Sequence, residues 1–183
     1  YRVDNRRVRH RAGGKLANRE AVGGEHIGVA STSGLGHTRW ATHGEPTEAN
    51  AHPHADCTGN LVVVHNGIIE NYSALRSELM ARGHVFTSET DTEVIAHLIE
   101  DCLAGDLVAA VRTALARVEG SYAIGVLLTG APDQPVAPRN HSPLVMGVTA
   151  DACLVASYIP ALLPFTRAVV VLAHRQSAVL GRG

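Results

Sequence analysis

The densest chemistry in the chain lies between residues 36 and 67, in GHTRWATHGEPTEANAHPHADCTGNLVVVHNG. This stretch holds His37, His43, His52, His54 and His65, five of the eleven histidines, beside Arg39, Trp40 and Cys57. The planar guanidinium of Arg39 suits bidentate capture of a carboxylate or phosphate, and Trp40, Thr42 and His43 follow it in a loop rich in fixed donors. The run Val62-Val63-Val64-His65 reads as a buried strand ending at Asn66-Gly67. Two readings of that dipeptide stand side by side. Asn-Gly is the strongest short signal for a hairpin turn. Equally, an Asn amide and a Gly N–H at one strand end can both point at a developing negative oxygen, as in an oxyanion hole, with glycine permitting close approach.

A second cluster is Ser88-Glu89-Thr90-Asp91-Thr92-Glu93. Thr90 and Glu93 are spaced as a capping box, each satisfying the other's free backbone donor at a helix start. That leaves the Asp91 carboxylate for a cationic ligand group. His52-Pro53-His54 with Cys57 raises zinc, which wants tetrahedral N and S donors. The spacing is tight, however, and neither a second paired cysteine nor an H-x-x-x-H helix completes the set. No metal site and no cofactor are therefore expected.

These residues need elements to hold them. Short apolar runs rich in β-branched residues, flanked by Gly, Pro, Asn or Asp, predict strands over 27–30, 61–64, 122–128, 144–148, 154–156 and 169–172. Three consecutive helices are predicted between 70 and 120. The first carries Tyr72, Leu75, Leu79 and Met80 at helical spacing and stops at Gly83. The second starts at the Thr90 cap, buries Val94, Ile95, Leu98, Ile99, Cys102 and Leu103, and ends at Gly105. The third runs from about 106 to 119 with Leu107, Val111, Leu115 and Val118 on one side. Residues 131–140, with Pro132, Pro135 and Pro138, read as a loop. Strands, then helices, then strands disfavour an alternating parallel sheet and favour an α+β layered fold.

Composition bounds the function. The chain has 183 residues, 45% of them hydrophobic and 18% charged, which suits one domain with its own core. A net charge of −1 gives no whole-molecule attraction for nucleic acid or anionic membrane, and 4% aromatics leaves little for base stacking. Arg2, Arg6, Arg7, Arg9 and Arg11 concentrate positive charge near one end, which reads as a solvated strand before it reads as a nucleic-acid arm. No window approaches the length of a membrane span. Cys57, Cys102 and Cys153 are too few and too scattered for a disulfide framework, so a reduced, cytoplasmic setting is expected.

Four ordered motifs carry a resemblance: Gly36-His37-Thr38-Arg39-Trp40-Ala41-Thr42-His43-Gly44, Asn50-Ala51-His52-Pro53-His54, Val63-Val64-His65-Asn66-Gly67-Ile68-Ile69-Glu70-Asn71, and Ser88 through Glu93. Together they resemble the glutaminase (type-2 glutamine amidotransferase) domain of glutamine–fructose-6-phosphate aminotransferases. The resemblance implies a four-layer αββα sandwich of the N-terminal nucleophile hydrolase type, spanning 1–183. It implies an N-terminal cysteine whose thiolate attacks the glutamine carboxamide, with its own α-amino group as base. By the same resemblance Asn66 and Gly67 form the oxyanion hole, Arg39 clamps the α-carboxylate and Asp91 meets the α-ammonium. Thr42 and His43 belong to a loop closing over the amino acid, with Trp40 beside them and His52 near the pocket.

The family's Cys-Gly-Ile-Val-Gly start would precede Tyr1, so the chain is expected to be a domain incomplete at its N-terminus, inactive and poorly folded as it stands. The sugar isomerase domain, which would bind fructose 6-phosphate, is absent from these residues, and homo-oligomerisation is expected of the parent enzyme. The alternative is a degenerate, non-enzymatic glutamine-binding module. Two departures are notable: Tyr158 stands where the family usually has Asp, and His141 where it has Gly or a small residue.

Overall fold

The computed structural model describes residues 33–38 and 45–181, with the backbone of 2–3 and 6–7. The strand expected over 27–30 lies outside the described residues, as do Arg39, Trp40, Thr42 and His43. Near the start, β1 (Arg2–Val3) pairs antiparallel with β2 (Arg6–Arg7).

The centre of the fold is an antiparallel pair of nine-residue strands, β4 (Leu61–Ile69) and β5 (Gly120–Leu128). They pair antiparallel along their whole length, from Leu61 opposite Leu128 to Ile69 opposite Gly120. β3 (His54–Ala55) adds to the outer edge of β4. β6 (Val136–Asn140) and β10 (Ser177–Val179) extend the other side, giving the order β10-β6-β5-β4-β3. A second antiparallel sheet, β8-β7-β9, comprises β7 (Val145–Val148), β8 (Cys153–Ala156) and β9 (Val169–Val171).

Side-chain alternation sorts the layers. From β4, β5 and β6, Leu61, Val63, Ile69, Tyr122, Ile124, Val126 and Val136 face one way and pack with the helices. Those helices are α1 (Tyr72–Ala81), α2 (Asp91–Cys102) and α3 (Leu107–Leu115), which contribute Leu75, Leu79, Val94, Ile95, Leu98, Ile99, Leu107 and Val111 to the same core. On the opposite face Ala123, Ala137 and Ala178 pack with Leu144, Leu172, Met146 and Val155 around the second sheet. Helices, sheet and sheet make an α+β sandwich, as the element order predicts. Small residues on the sheet-to-sheet face let the two sheets approach; Leu35 fills the notch over Gly125, where a Cβ would lie 2.9 Å from Leu35 Cδ2.

Three expectations need correcting. The proline-rich segment is not wholly loop, because 136–140 forms β6 between β5 and β10. Pro138 lacks an N–H, yet the ladder to β5 still closes at Val136–Val126, Ala123–Arg139 and Tyr122–Asn140 on either side of it. The third helix ends at Leu115, not near 119: Arg117 and Val118 donate to Ala114 and Leu115 in a tightened last turn before Gly120, at φ 120°, opens β5. At its other end the Asp106 side chain caps Val108 and Ala109. The Thr90–Glu93 capping box forms in half. Thr90 accepts the Glu93 N–H, but the Glu93 carboxylate turns outward to the backbone and hydroxyls of Thr87 and Ser88 instead of to Thr90 N–H.

Candidate functional site

Asn66 and Gly67 are not a turn. They lie inside β4 opposite Ala123 and Tyr122, and the strand runs on to Ile69. This decides between the two sequence readings against the hairpin: the Asn-Gly turn signal is overridden because β5 supplies a partner along the full nine residues. Gly67 sits at φ 137°, a conformation that side-chain-bearing residues rarely adopt, and a Cβ there would fall 2.0 Å from the Ser121 carbonyl oxygen. Glycine is therefore required twice over, by conformation and by the closeness of β5.

The Asn66 amide is held at both ends. His37 Nε2 donates to its Oδ1 at 2.8 Å, and its Nδ2 donates to Ser157 Oγ at 2.7 Å. With the carbonyl oxygen fixed on His37, the amide nitrogen is turned the other way. Its second N–H is left to meet an incoming acceptor on an exposed surface of the strand. His52, which is buried, packs against the His37 ring at a tilt of 46°, centroids 4.2 Å apart, and 5.1 Å separates it from His54. His52, His37, Asn66 and Ser157 thus form one continuous polar line.

Beneath it lies a buried group anchored by the N-terminus of α2. Asp91, 4% exposed, accepts the Ile69 N–H through Oδ2 at 2.9 Å, tying the helix start to the end of β4. Sequence spacing left this carboxylate unclaimed by capping; the fold gives it that backbone partner. His65 Nδ1 lies 3.1 Å from Thr92 Oγ1 and 4.0 Å from Asp91 Oδ2, and its Nε2 is 3.4 Å from Ser121 O, under Gly67. Negative charge at the first turn of α2 is favoured by the helix dipole. Glu93, in the same turn, is fixed by four donors from Thr87 and Ser88. Burial pushes its carboxyl up, but the neighbouring His97 imidazole and hydrogen bonds from Ser88 and Thr87 outweigh that and bring it down to about 2.

His37, His65 and Ser157 are the participants that spacing did not single out. Their signal was present in part, since His37 belongs to the first motif and Ser157 adjoins the departure at Tyr158. Tyr158 itself points to solvent at 63% exposure, ahead of a 3₁₀ turn, Ile159–Ala161. His141 sits at φ 63°, which explains why a glycine would suit that position. Its N–H is held by His174 Nδ1 at 3.2 Å.

None of the three cysteines is bonded to another. Desolvation and neighbouring carboxylates raise the thiols of Cys57 and Cys102, so neither has the character of an activated nucleophile. The zinc set weighed from sequence is dispersed: His54 Nε2 meets Thr90 Oγ1 at 3.0 Å, while Cys57 turns towards His84 and His97. Among the described residues no helix is long and apolar enough to cross a membrane.

Residues 37–164 match the glutamine amidotransferase domain family. The glutamine–fructose-6-phosphate aminotransferase (isomerizing) of Symbiobacterium thermophilum is 55% identical over 159 residues, covering 87% of this chain and 26% of that protein. The protein of the same description from Pyrococcus horikoshii is 52% identical over 151 residues, covering 81% of this chain and 25% of its own. Among solved structures, glutamine phosphoribosylpyrophosphate amidotransferase from B. subtilis, complexed with ADP and GMP, superposes with a TM-score of 0.58 at 29% identity. It covers 69% of this chain and 28% of that one. A structure of the allosteric regulatory enzyme of purine biosynthesis gives 0.60 at 30% identity over the same shares. The chain spans about a quarter of the length of the curated relatives it matches.

Proposed function

The chain belongs to the glutamine amidotransferase domain family, and from that premise we propose that it is the glutamine-hydrolysing part of a glutamine–fructose-6-phosphate aminotransferase. The observation that carries the reading is the Asn66–Gly67 pair: an amide locked by His37 and Ser157 beside a peptide where only glycine fits. Attack on the carboxamide carbon puts negative charge on its oxygen. Rigid N–H donors aimed at that oxygen stabilise the transition state more than the ground state, because they need no reorganisation as the charge appears.

The attacking thiolate is an N-terminal cysteine of the longer protein, by resemblance to the family; Cys57, Cys102 and Cys153 are internal and offer no free α-amine. The thiolate adds to the carbon, ammonia departs with the proton relayed by the α-amine, and water then releases glutamate from the γ-glutamyl thioester. Asp91 takes the α-ammonium of glutamine and Arg39 its α-carboxylate. Trp40, Thr42 and His43 close over the amino acid, and His52 supports the pocket through its packing against His37. Two opposite fixed charges suit a zwitterion and set the carboxamide in register with the donors.

Fructose 6-phosphate is favoured as the acceptor because the relatives named for it are 52–55% identical, against 29–30% for the purine enzymes. The experiment is incubation of the full-length protein with amide-labelled [15N]glutamine and fructose 6-phosphate. Label in an amino-sugar phosphate supports the reading. Transfer only to phosphoribosylpyrophosphate would reassign the acceptor, and glutamine binding without ammonia release would make the domain a binding module.

A further inference from the structure

Cys57, His84, His97 and Glu100 play no part in the glutamine site, yet they converge. Cys57 lies in the turn between β3 and β4, His84 in the connection from α1 to α2, and His97 and Glu100 three residues apart on one face of α2. One donor atom from each lies within 4.8 Å of all the others. We propose that these four side chains form a binding site for Zn2+ or a similar thiophilic divalent cation.

The distances have the dimensions of a coordination shell. Cys57 Sγ lies 3.6 Å from His84 Nδ1 and 3.5 Å from His97 Nδ1. Glu100 Oε2 lies 3.1 Å from each of those nitrogens. A tetrahedral zinc with Zn–S of about 2.3 Å and Zn–N of about 2.0–2.1 Å sets sulfur and nitrogen about 3.5 Å apart, and two N or O donors about 3.3 Å apart. These four edges match to within a few tenths of an ångström, and the other two lie within 4.8 Å. Without a cation, Glu100 Oε2 has to serve both imidazoles and the Cys57 N–H, 3.1 Å away, at once.

The surroundings are those of a ligand set. Each imidazole has a carboxylate near its remaining nitrogen without a hydrogen bond between them: Asp101 Oδ1 is 3.5 Å from His84 Nε2, and Glu93 Oε1 is 3.8 Å from the buried His97 Nε2. Drawn in by a short shift on metal binding, such outer carboxylates would fix the tautomer and raise the basicity of ligating histidines. The Val85 N–H points at Cys57 Sγ at 3.5 Å, as backbone donors do to metal-bound thiolates. One thiolate and one carboxylate with two neutral imidazoles balance a divalent charge. Because all four positions come from protein, the site is structural: it would pin the β3–β4 turn and the α1–α2 connection to α2, the helix that presents Asp91. No compact motif announces it, since the ligands are spread from residue 57 to residue 100.

The test uses full-length protein prepared without a histidine tag, stripped by chelator, with Co2+ as the probe. One equivalent of Co2+ is expected to give a thiolate-to-cobalt charge-transfer band with the intense d–d absorption of a tetrahedral centre. Cys57→Ser is expected to lose the charge-transfer band. Asp101→Asn, which touches no metal, is expected to weaken Co2+ binding about 10- to 100-fold while the band persists. Should Cys57→Ser fail to fold, His84→Ala takes its place, with loss of tetrahedral intensity as the readout. A stripped protein that retains its far-UV dichroism but gives no charge-transfer band overturns the proposal. So does a Cys57→Ser spectrum identical to the wild type.

Discussion

Replacing Asp91 by Asn separates a substrate anion from a structural acceptor. Asp91 Oδ2 accepts the Ile69 N–H at 2.9 Å, and an Asn carbonyl oxygen can take the same bond, so the tie between α2 and β4 survives. The variant loses charge assistance to that bond and the favourable position at the helix start, together about 1–2 kcal/mol. An α-ammonium about 4 Å from a carboxylate gains about 4 kcal/mol at an effective dielectric constant of 20. A neutral amide forfeits most of that, so the glutamine Kd and KM are expected to rise about a hundred- to a thousandfold. The assay is glutamine hydrolysis and calorimetric binding with the full-length protein. 4-Carbamoylbutanoate, which is glutamine without its α-amino group, serves as control and is expected to bind wild type and variant within about threefold of each other. Equal losses for both ligands, or an unchanged glutamine KM with a lowered Tm, would refute the role given to Asp91 and leave it only its bond to Ile69.

Gly67→Ala is expected to destabilise by more than about 3 kcal/mol, since an unfavourable φ and a backbone overlap add. Gly125→Ala, whose Cβ would first meet side-chain atoms of Leu35 and Val64, is expected to cost about 1 kcal/mol. Denaturant unfolding showing Gly67→Ala no worse than Gly125→Ala would contradict the packing described. The Glu93 carboxyl is lowered from 4.5 to about 2 in the folded protein, so the native state favours its ionised form. That contribution, about 3 kcal/mol, is complete above pH 4.5 and is lost as pH falls towards 2. Glu93→Gln is therefore expected to be less stable than wild type at neutral pH, with the gap closing on acidification; a gap constant with pH would count against the hydrogen-bonded carboxylate.

Helices were the most legible elements in the sequence, because Leu75, Leu79, Val94, Ile95 and Leu98 repeat at helical spacing and the Thr90 and Gly83 boundaries are local. What sequence hid was long-range. Nothing near Asn66-Gly67 says that β5, more than fifty residues on, will pair through it, and nothing in Pro135-Val136-Ala137-Pro138 says that β10 will flank it. The same limit applies to the site. Asn66, Gly67, His52 and Asp91 were legible by type and motif. The partners that orient them, His37 and Ser157 on Asn66 and Ile69 on Asp91, depend on which strands meet. His141 reads only as an odd residue until its φ of 63° gives the reason. Cys57 stands beside His52 and His54 in sequence, whereas the fold sets its sulfur against His84 and His97.

Asn66→Ala in the full-length protein puts the oxyanion-hole assignment to its sharpest test. The exposed Asn66 side chain bonds to His37 and Ser157, and an alanine keeps the backbone pairing with β5, so the fold has little to lose. Removing one oxyanion donor typically costs a factor of about 10²–10³ in kcat. The expected result is that fall in glutamine hydrolysis, with glutamine Kd within about threefold of wild type and Tm unchanged. A kcat within about threefold of wild type would contradict the assignment, as would a loss appearing entirely in Kd.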